Sequence, residues 1–286
     1  MQNMNVEKPY FPEDSRFLKA DSRGSRWAIP YNFECLNARV EILLANQRDA
    51  LQGKRVLDMA SHIGTFSYAA LMMGADFIQG VDTEGRTVEK CKELFAAQGV
   101  EPSRYQFETR DVFDLLENSP PNSWDTILCF GMLYYTTEPL RLLTLMNNAA
   151  RECILLDTFT AAYAAIQGKD AEGIYPRMRD DTLELPMMIT SRTQADKKDY
   201  RLPQSFDHKG KQLSLTTFPT RALLEIWFAS LNMKWQRVDW SAYTVRQRSW
   251  RDLVSSEQKK ASHWADIYAS GARVSYRLDA PALQSS

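Results

Sequence analysis

Residues 54–82, KRVLDMASHIGTFSYAALMMGADFIQGVD, decide the fold. Residues 55–60 are a short apolar run bounded by Gly53 and by the small residues Ala60 and Ser61, as suits a parallel strand buried on both faces. The chain then turns through Ser61, His62, Ile63 and Gly64 into residues 65–73, whose apolar positions recur at helical spacing and stop at Gly74. Residues 76–82 read as the next strand, and Asp82 stands at its carboxyl end. Strand, turn, helix and strand make one right-handed βαβ unit with a ligand crevice at the strand ends. A carboxylate at that position can accept both hydroxyls of a ribose, so the unit points to a nucleotide-like ligand. A dinucleotide site would call for G-x-G-x-x-G, with pyrophosphate resting on the helix N-terminus. This turn lacks those glycines.

Outward from this unit, strand and helix alternate. Residues 34–51 form an amphipathic helix with Leu36, Val40, Leu43 and Leu44 on one stripe. Residues 83–97 are a helix ended by Gly99, and residues 105–111 alternate as a strand that closes on Asp111 and Val112. Asp111 is equally well placed to cap a helix over residues 112–117. Residues 123–131 are a fourth strand, 139–149 a helix, and 151–158 a fifth strand with Asp157 at its end. The order argues for a doubly wound α/β sheet. Residues 160–217 exceed what a crossover needs and predict an inserted cap, with short strands at 185–190 and 212–217. Pro219 opens a helix over 221–231, residues 234–240 are a sixth strand, 241–270 a second, polar insertion, and 271–278 the last strand. The expected organisation is an N-terminal arm or lid (1–35), a core (36–160), a cap (161–217) and a completion of the core (218–286).

With 286 residues, 44% hydrophobic and 25% charged, the chain has the composition of an ordinary globular protein. No run approaches membrane-spanning length, and the first residues lack the basic-then-apolar pattern of a signal peptide, so the expected location is cytoplasmic. Cys35, Cys91, Cys129 and Cys153 show no C-x-x-C spacing and read as buried thiols. The net charge of −1 is unevenly divided. Residues 1–176 carry 17 Lys/Arg against 24 Asp/Glu, whereas residues 177–263 carry 16 against 10. A localised basic excess suits an acidic substrate, a phosphate or RNA, and equally a solvated surface. In the arm, Trp27, Tyr31 and Phe33 form either an apolar lid over the site or plain core cover.

The turn resembles the first motif of class I S-adenosylmethionine (SAM) methyltransferases, D-x-G-x-G-x-G, read on Asp58, Ala60, His62 and Gly64, of which only the last glycine is kept. The resemblance covers roughly residues 36–160 and 218–278. It implies a seven-stranded, mostly parallel Rossmann-like sheet with an antiparallel last strand, and SAM as cofactor. SAM would be held by Asp58, Ala60, Gly64, Asp82, Asp111 and Val112, with Phe130 at the end of the fourth strand. The segment 131–140, GMLYYTTEPL, looks like the G-x-L-Y-H-x-x-x-P-L of the carboxymethyl-transferring tRNA wobble-uridine enzymes, with Tyr135 in place of the histidine. In that family the tyrosine matched by Tyr134 and an arginine at the start of the last strand, here Arg273, contact the carboxylate of carboxy-SAM. The family's N-terminal lysine has no match, and Arg23 or Arg26 would have to serve.

Methyl transfer from a sulfonium is an in-line displacement, accelerated chiefly by alignment and exclusion of water. It requires no metal and no covalent intermediate, and it needs a base only when the nucleophile arrives protonated. His62, Tyr134 and Asp157 are the candidate catalytic groups, although His62 would equally fill a turn, Tyr134 orient a ligand and Asp157 hold a turn. Tyr31, Tyr134, Tyr135 and Arg273 are the candidate substrate contacts. The expected reaction is methyl transfer to a small metabolite or short peptide. Carboxymethyl transfer from carboxy-SAM and a non-catalytic SAM-binding regulator are the alternatives, and a homo-oligomer is left open. A tRNA acceptor is disfavoured because the basic excess is interleaved with Asp180, Asp181, Glu184, Asp196, Asp199 and Asp207. The cap is suited instead to close over a compact, anionic acceptor, with Arg177, Arg179, Arg192 and Arg201 as candidates for gripping it.

Overall fold

The computed structural model describes residues 9–20, 27–167, 179–194, 196–197, 200–201 and 205–280. In chain order the core elements are α1 (Arg16–Ala20), α2 (Phe33–Leu43), β1 (Arg55–Met59), α3 (Thr65–Met72), β2 (Phe77–Asp82), α4 (Gly85–Ala97), β3 (Tyr105–Thr109), α5 (Val112–Glu117), β4 (Trp124–Phe130), α6 (Pro139–Ala149) and β5 (Ala150–Phe159). After them come α7 (Ala161–Ile166), β6 (Met188–Gln194), β7 (Asp196–Lys197), β8 (Tyr200–Arg201), β9 (Phe206–His208) and β10 (Lys211–Pro219). A helix over Arg221–Ser230 leads to β11 (Lys234–Arg237), and the described chain ends with β12 (Arg273–Asp279).

Seven strands form one sheet in the order β11-β12-β5-β4-β1-β2-β3. β1 to β5 run parallel to one another, whereas β12 runs antiparallel to both β5 and β11. The strand order reverses between β1 and β4, which opens a crevice at their carboxyl ends. Successive strand residues alternate between two cores, as the pleat requires. Val56, Ile78 and Leu128 pack with α2, α3 and α4, whereas Leu57, Val81 and Ile127 pack with α5, α6 and the helix Arg221–Ser230. The runs that look uniformly apolar in the sequence are therefore strands covered on both faces.

Three expectations need correction. The helix expected over 34–51 ends at Leu43, and a 3-10 helix over Ala45–Ala50 follows, with Gln47 outside helical geometry. The bend carries Ala50 and Leu51 into the core, at 2% and 0% exposure. The first cap strand starts at Met188 rather than 185. Pro186 has no N–H for a ladder, and the N–H and C=O of Met187 are taken by Thr220. It pairs antiparallel with β10 and, with β9, makes a three-stranded sheet. Lastly, the segment 241–270 is no polar insertion. It holds a 3-10 helix, Trp250–Leu253, and the helices Ser256–Ala261 and Asp266–Ala269, and it buries Trp250, Leu253, Trp264 and Tyr268. All four cysteines are buried thiols outside any disulfide.

Candidate active site

The turn between β1 and α3 places three residues in the left-handed region: Ala60 (φ 54°), His62 (φ 52°) and Gly64 (φ 74°). These are the positions at which D-x-G-x-G-x-G carries glycine. Left-handed backbone costs an L-residue about 1–2 kcal/mol, so the path persists without two of its glycines because surrounding bonds hold it. Ser61 N–H donates to the Val81 carbonyl at 2.9 Å, Gly64 N–H to the Ser61 carbonyl at 2.8 Å, and His62 N–H to Asp82 Oδ2 at 3.0 Å. Gly64 has no alternative: a Cβ there would stand 2.3 Å from Cys91 Sγ and 2.9 Å from Phe95.

Asp82 thus does two things. Its Oδ2 anchors the turn and its Oδ1 accepts the Glu84 N–H at 3.0 Å. Asp58 is buried and takes the Ser67 hydroxyl at 2.5 Å, which ties the end of β1 to α3 and shapes the turn from beneath. Asp111 caps α5, its Oδ1 accepting the Phe113 N–H at 2.8 Å, and Val112 is buried beside it. Phe130, at the end of β4, meets Phe66 of α3 edge to face at 5.1 Å. A cradle of this shape, with acids at the ends of β2 and β3, fits an adenosine.

A second centre lies at the ends of β4, β5 and β12. Asp157 is fully buried, and its Oδ2 accepts from Arg39 Nη2 at 2.7 Å and from Arg273 Nε at 2.9 Å, while its Oδ1 accepts the Ser275 hydroxyl at 2.8 Å. Burial alone would raise this carboxyl, but the charges and hydrogen bonds of Arg273 and Arg39 outweigh it and hold the group below the usual carboxylate range. In this setting Asp157 is the counter-ion of two guanidinium groups. Two guanidinium groups share one carboxylate, which leaves a positive surplus. It is partly offset by aromatic faces: Arg39 lies over Phe66 at 4.7 Å, and Arg273 over Phe159 at 4.4 Å and Trp27 at 5.0 Å.

Tyr134 joins this centre. Its hydroxyl and Arg273 Nη2 lie 3.3 and 3.5 Å from where a Cβ on Gly131 would stand, so Gly131 keeps the end of β4 open beside both groups. Burial pushes the Tyr134 hydroxyl up, against the opposing pull of Arg273. It is a hydrogen-bonding group beside Arg273. Tyr135 packs at 4.5 Å from Tyr134, and Phe218 of β10 stacks on Tyr134 at 5.7 Å, so the cap meets the core here. Tyr31 packs against Trp27 at 4.7 Å, and Trp27 against Phe159 at 5.6 Å, which sets the arm over the end of β5.

The structure thus gathers Tyr134, Tyr135, Arg273 and Asp157 in one cluster and Asp58, Ala60, His62, Gly64 and Asp82 in another. Arg23, Arg26 and Arg177 lie outside the described residues, as does the side chain of Arg201. Arg179 pairs with Asp181 on the exposed surface, and Arg192 is exposed on β6. Sequence reasoning missed Arg39, which sits on the buried stripe of α2. An arginine in line with Leu36 and Leu43 is the signal that would have found it.

A family model described as a methyltransferase domain matches residues 51–183. A ubiquinone biosynthesis O-methyltransferase of Neisseria meningitidis is 29% identical over 101 residues, 35% of this chain and 41% of that protein. A tRNA U34 carboxymethyltransferase of Campylobacter hominis is 29% identical over 136 residues, 45% of this chain and 42% of that protein. The chain spans about two fifths of the length of these curated relatives. Among solved structures, an S-adenosylmethionine-dependent methyltransferase from Mesorhizobium loti superposes with a TM-score of 0.51 at 12% identity, over 85% of this chain and 97% of that one. The N-terminal domain of EvdMO1, solved with S-adenosylhomocysteine (SAH) bound, superposes with a TM-score of 0.50 at 13% identity, over 83% of this chain and 79% of that one. The fold is that of class I methyltransferases.

Proposed function

We propose that this chain, whose residues 51–183 carry a methyltransferase domain, is a SAM-dependent methyltransferase acting on a small acceptor. The observation that carries the reading is the β1–α3 turn: it keeps left-handed backbone at all three glycine positions of the SAM motif, with two non-glycine residues, and is bonded directly to Asp82. When bound, SAM supplies an electrophilic methyl group on a sulfonium. The chain's own part is positional. Asp82 takes the ribose, Asp111 the adenine amine, and the turn from Ala60 to Gly64 passes beside the ligand. Trp27, Tyr31, Tyr134 and Phe218 keep water from the end of β4, which favours an in-line displacement. The interleaved acids of the cap weigh against a tRNA acceptor. Replacing Asp82 by Ala removes both the ribose contact and the anchor of the turn, so SAH affinity should fall by about 10-fold or more. An affinity unchanged in that variant would sink this assignment.

A second reading has its own observation. The surplus positive charge of Arg39 and Arg273 over Asp157, beside the Tyr134 hydroxyl, suits an extra carboxylate at the transferring group, as in carboxy-SAM. Mass spectrometry of ligand extracted from the purified protein separates the two: SAM or SAH supports methyl transfer, and carboxy-SAM retained in preference supports carboxymethyl transfer.

A further inference from the structure

Between the base of the cap and the segment 241–270, across the ends of β5, β11 and β12, lies a cavity of about 690 Å³, within the range of small-molecule sites. Arg273 and Ser275 contribute to its lining from β12, Arg237 from β11, and Trp250 and Tyr268 from the later segment. Its two acids are already satisfied. Glu184 pairs with Arg221 at 2.8 Å, and Asp239 accepts both the N–H and the hydroxyl of Ser241, each at 2.8 Å. Arg237, by contrast, has no carboxylate within 4.0 Å among the described residues. Trp250 and Tyr268 belong to the wall, with Nε1 and Oη buried away from the lumen. The spare capacity of this cavity is therefore a cation, Arg237, exposed on β11, which is the complement of an anionic, oxygen-bearing molecule.

Arg273 connects the cavity to the transfer site, because it lines the one and stands beside Gly131 at the other. We propose that this cavity is the acceptor pocket and that it takes a small carboxylic acid, with Arg237 as the carboxylate-binding residue. Its role as an acceptor pocket rests on the transferase reading; its preference for an acid does not. The grip comes from the end of β11 and the segment after it, not from the cap arginines.

The test is calorimetry on the full chain with benzoate, phenylacetate and succinate, each beside its neutral amide, in wild type and Arg237→Gln, with SAH titrated separately into each protein. At least one acid should bind with a Kd tighter than about 1 mM, and its amide about 10-fold more weakly. Arg237→Gln should abolish that difference and leave SAH affinity unchanged. Failure of all three acids to bind, equal binding of acid and amide, or a preference that survives Arg237→Gln would overturn the proposal. Failure of SAH to bind wild type would instead remove the transferase reading, and the acid titrations would still report on the cavity.

Discussion

Asp157 is the residue on which most buried charge converges, and its replacement has a defined cost. Asp157→Asn leaves two guanidinium groups buried at 2% exposure without their counter-ion. Breaking a buried ion pair from one side costs about 3–5 kcal/mol, and urea denaturation should show a loss of that order. The pH dependence has a definite sign. Because the folded carboxyl is held below its ordinary value, its contribution is complete above about 3.9, the unfolded value, and is lost as the pH falls through the lowered one. Wild type should lose this increment on acidification, whereas Asp157→Asn should not. In the turn, Gly64→Ala combines a left-handed φ with a Cβ 2.3 Å from Cys91 Sγ. It should destabilise by about 2–5 kcal/mol, the strain and overpacking costs together. Ala60 already carries a Cβ, and Ala60→Gly should be tolerated with little change in melting temperature.

At the scale of elements, the cap is joined to the core through a short list of bonds. Thr217 of β10 donates its hydroxyl to the Thr136 carbonyl at 2.6 Å in a buried setting, and Phe218 stacks on Tyr134. Thr217→Val should cost about 1 kcal/mol in chemical denaturation and loosen the loop that presents Tyr134. The core elements were legible in the sequence because two-sided burial writes strands as continuous apolar runs, and because Gly74 and Gly99 mark helix ends. The cap was legible as an insertion with two strands, whereas its helix α7 and the helical turns of 241–270 were not. The apolar residues of 241–270 are spaced by tertiary contacts rather than by a period of two or 3.6, as with Tyr268, which stacks on Trp240 at 3.6 Å. The capping boxes at Ser249 and Ser255 were readable signals of the two helical turns that begin there. Arg39 was hidden because its partner Asp157 is 118 residues away in sequence.

For the molecule as a whole, the sheet sets the adenosine cradle over β1, β2 and β3 and the charged centre over β4, β5 and β12, with the cavity beyond. On the proposed reading, cofactor acids, transfer site and acceptor pocket then lie in sequence along the sheet edge made by the carboxyl ends of the parallel strands and the amino end of β12. The fold was readable from the βαβ unit and the order of elements, whereas the pocket at its far side depends on a strand and a segment that close only in three dimensions. That the β1–α3 turn binds SAM despite lacking two of its three glycines is tested by titration calorimetry of wild type with SAM, SAH and NAD. Saturable binding of SAM and SAH and none of NAD is expected; NAD binding, or no binding of either sulfur compound, would refute it.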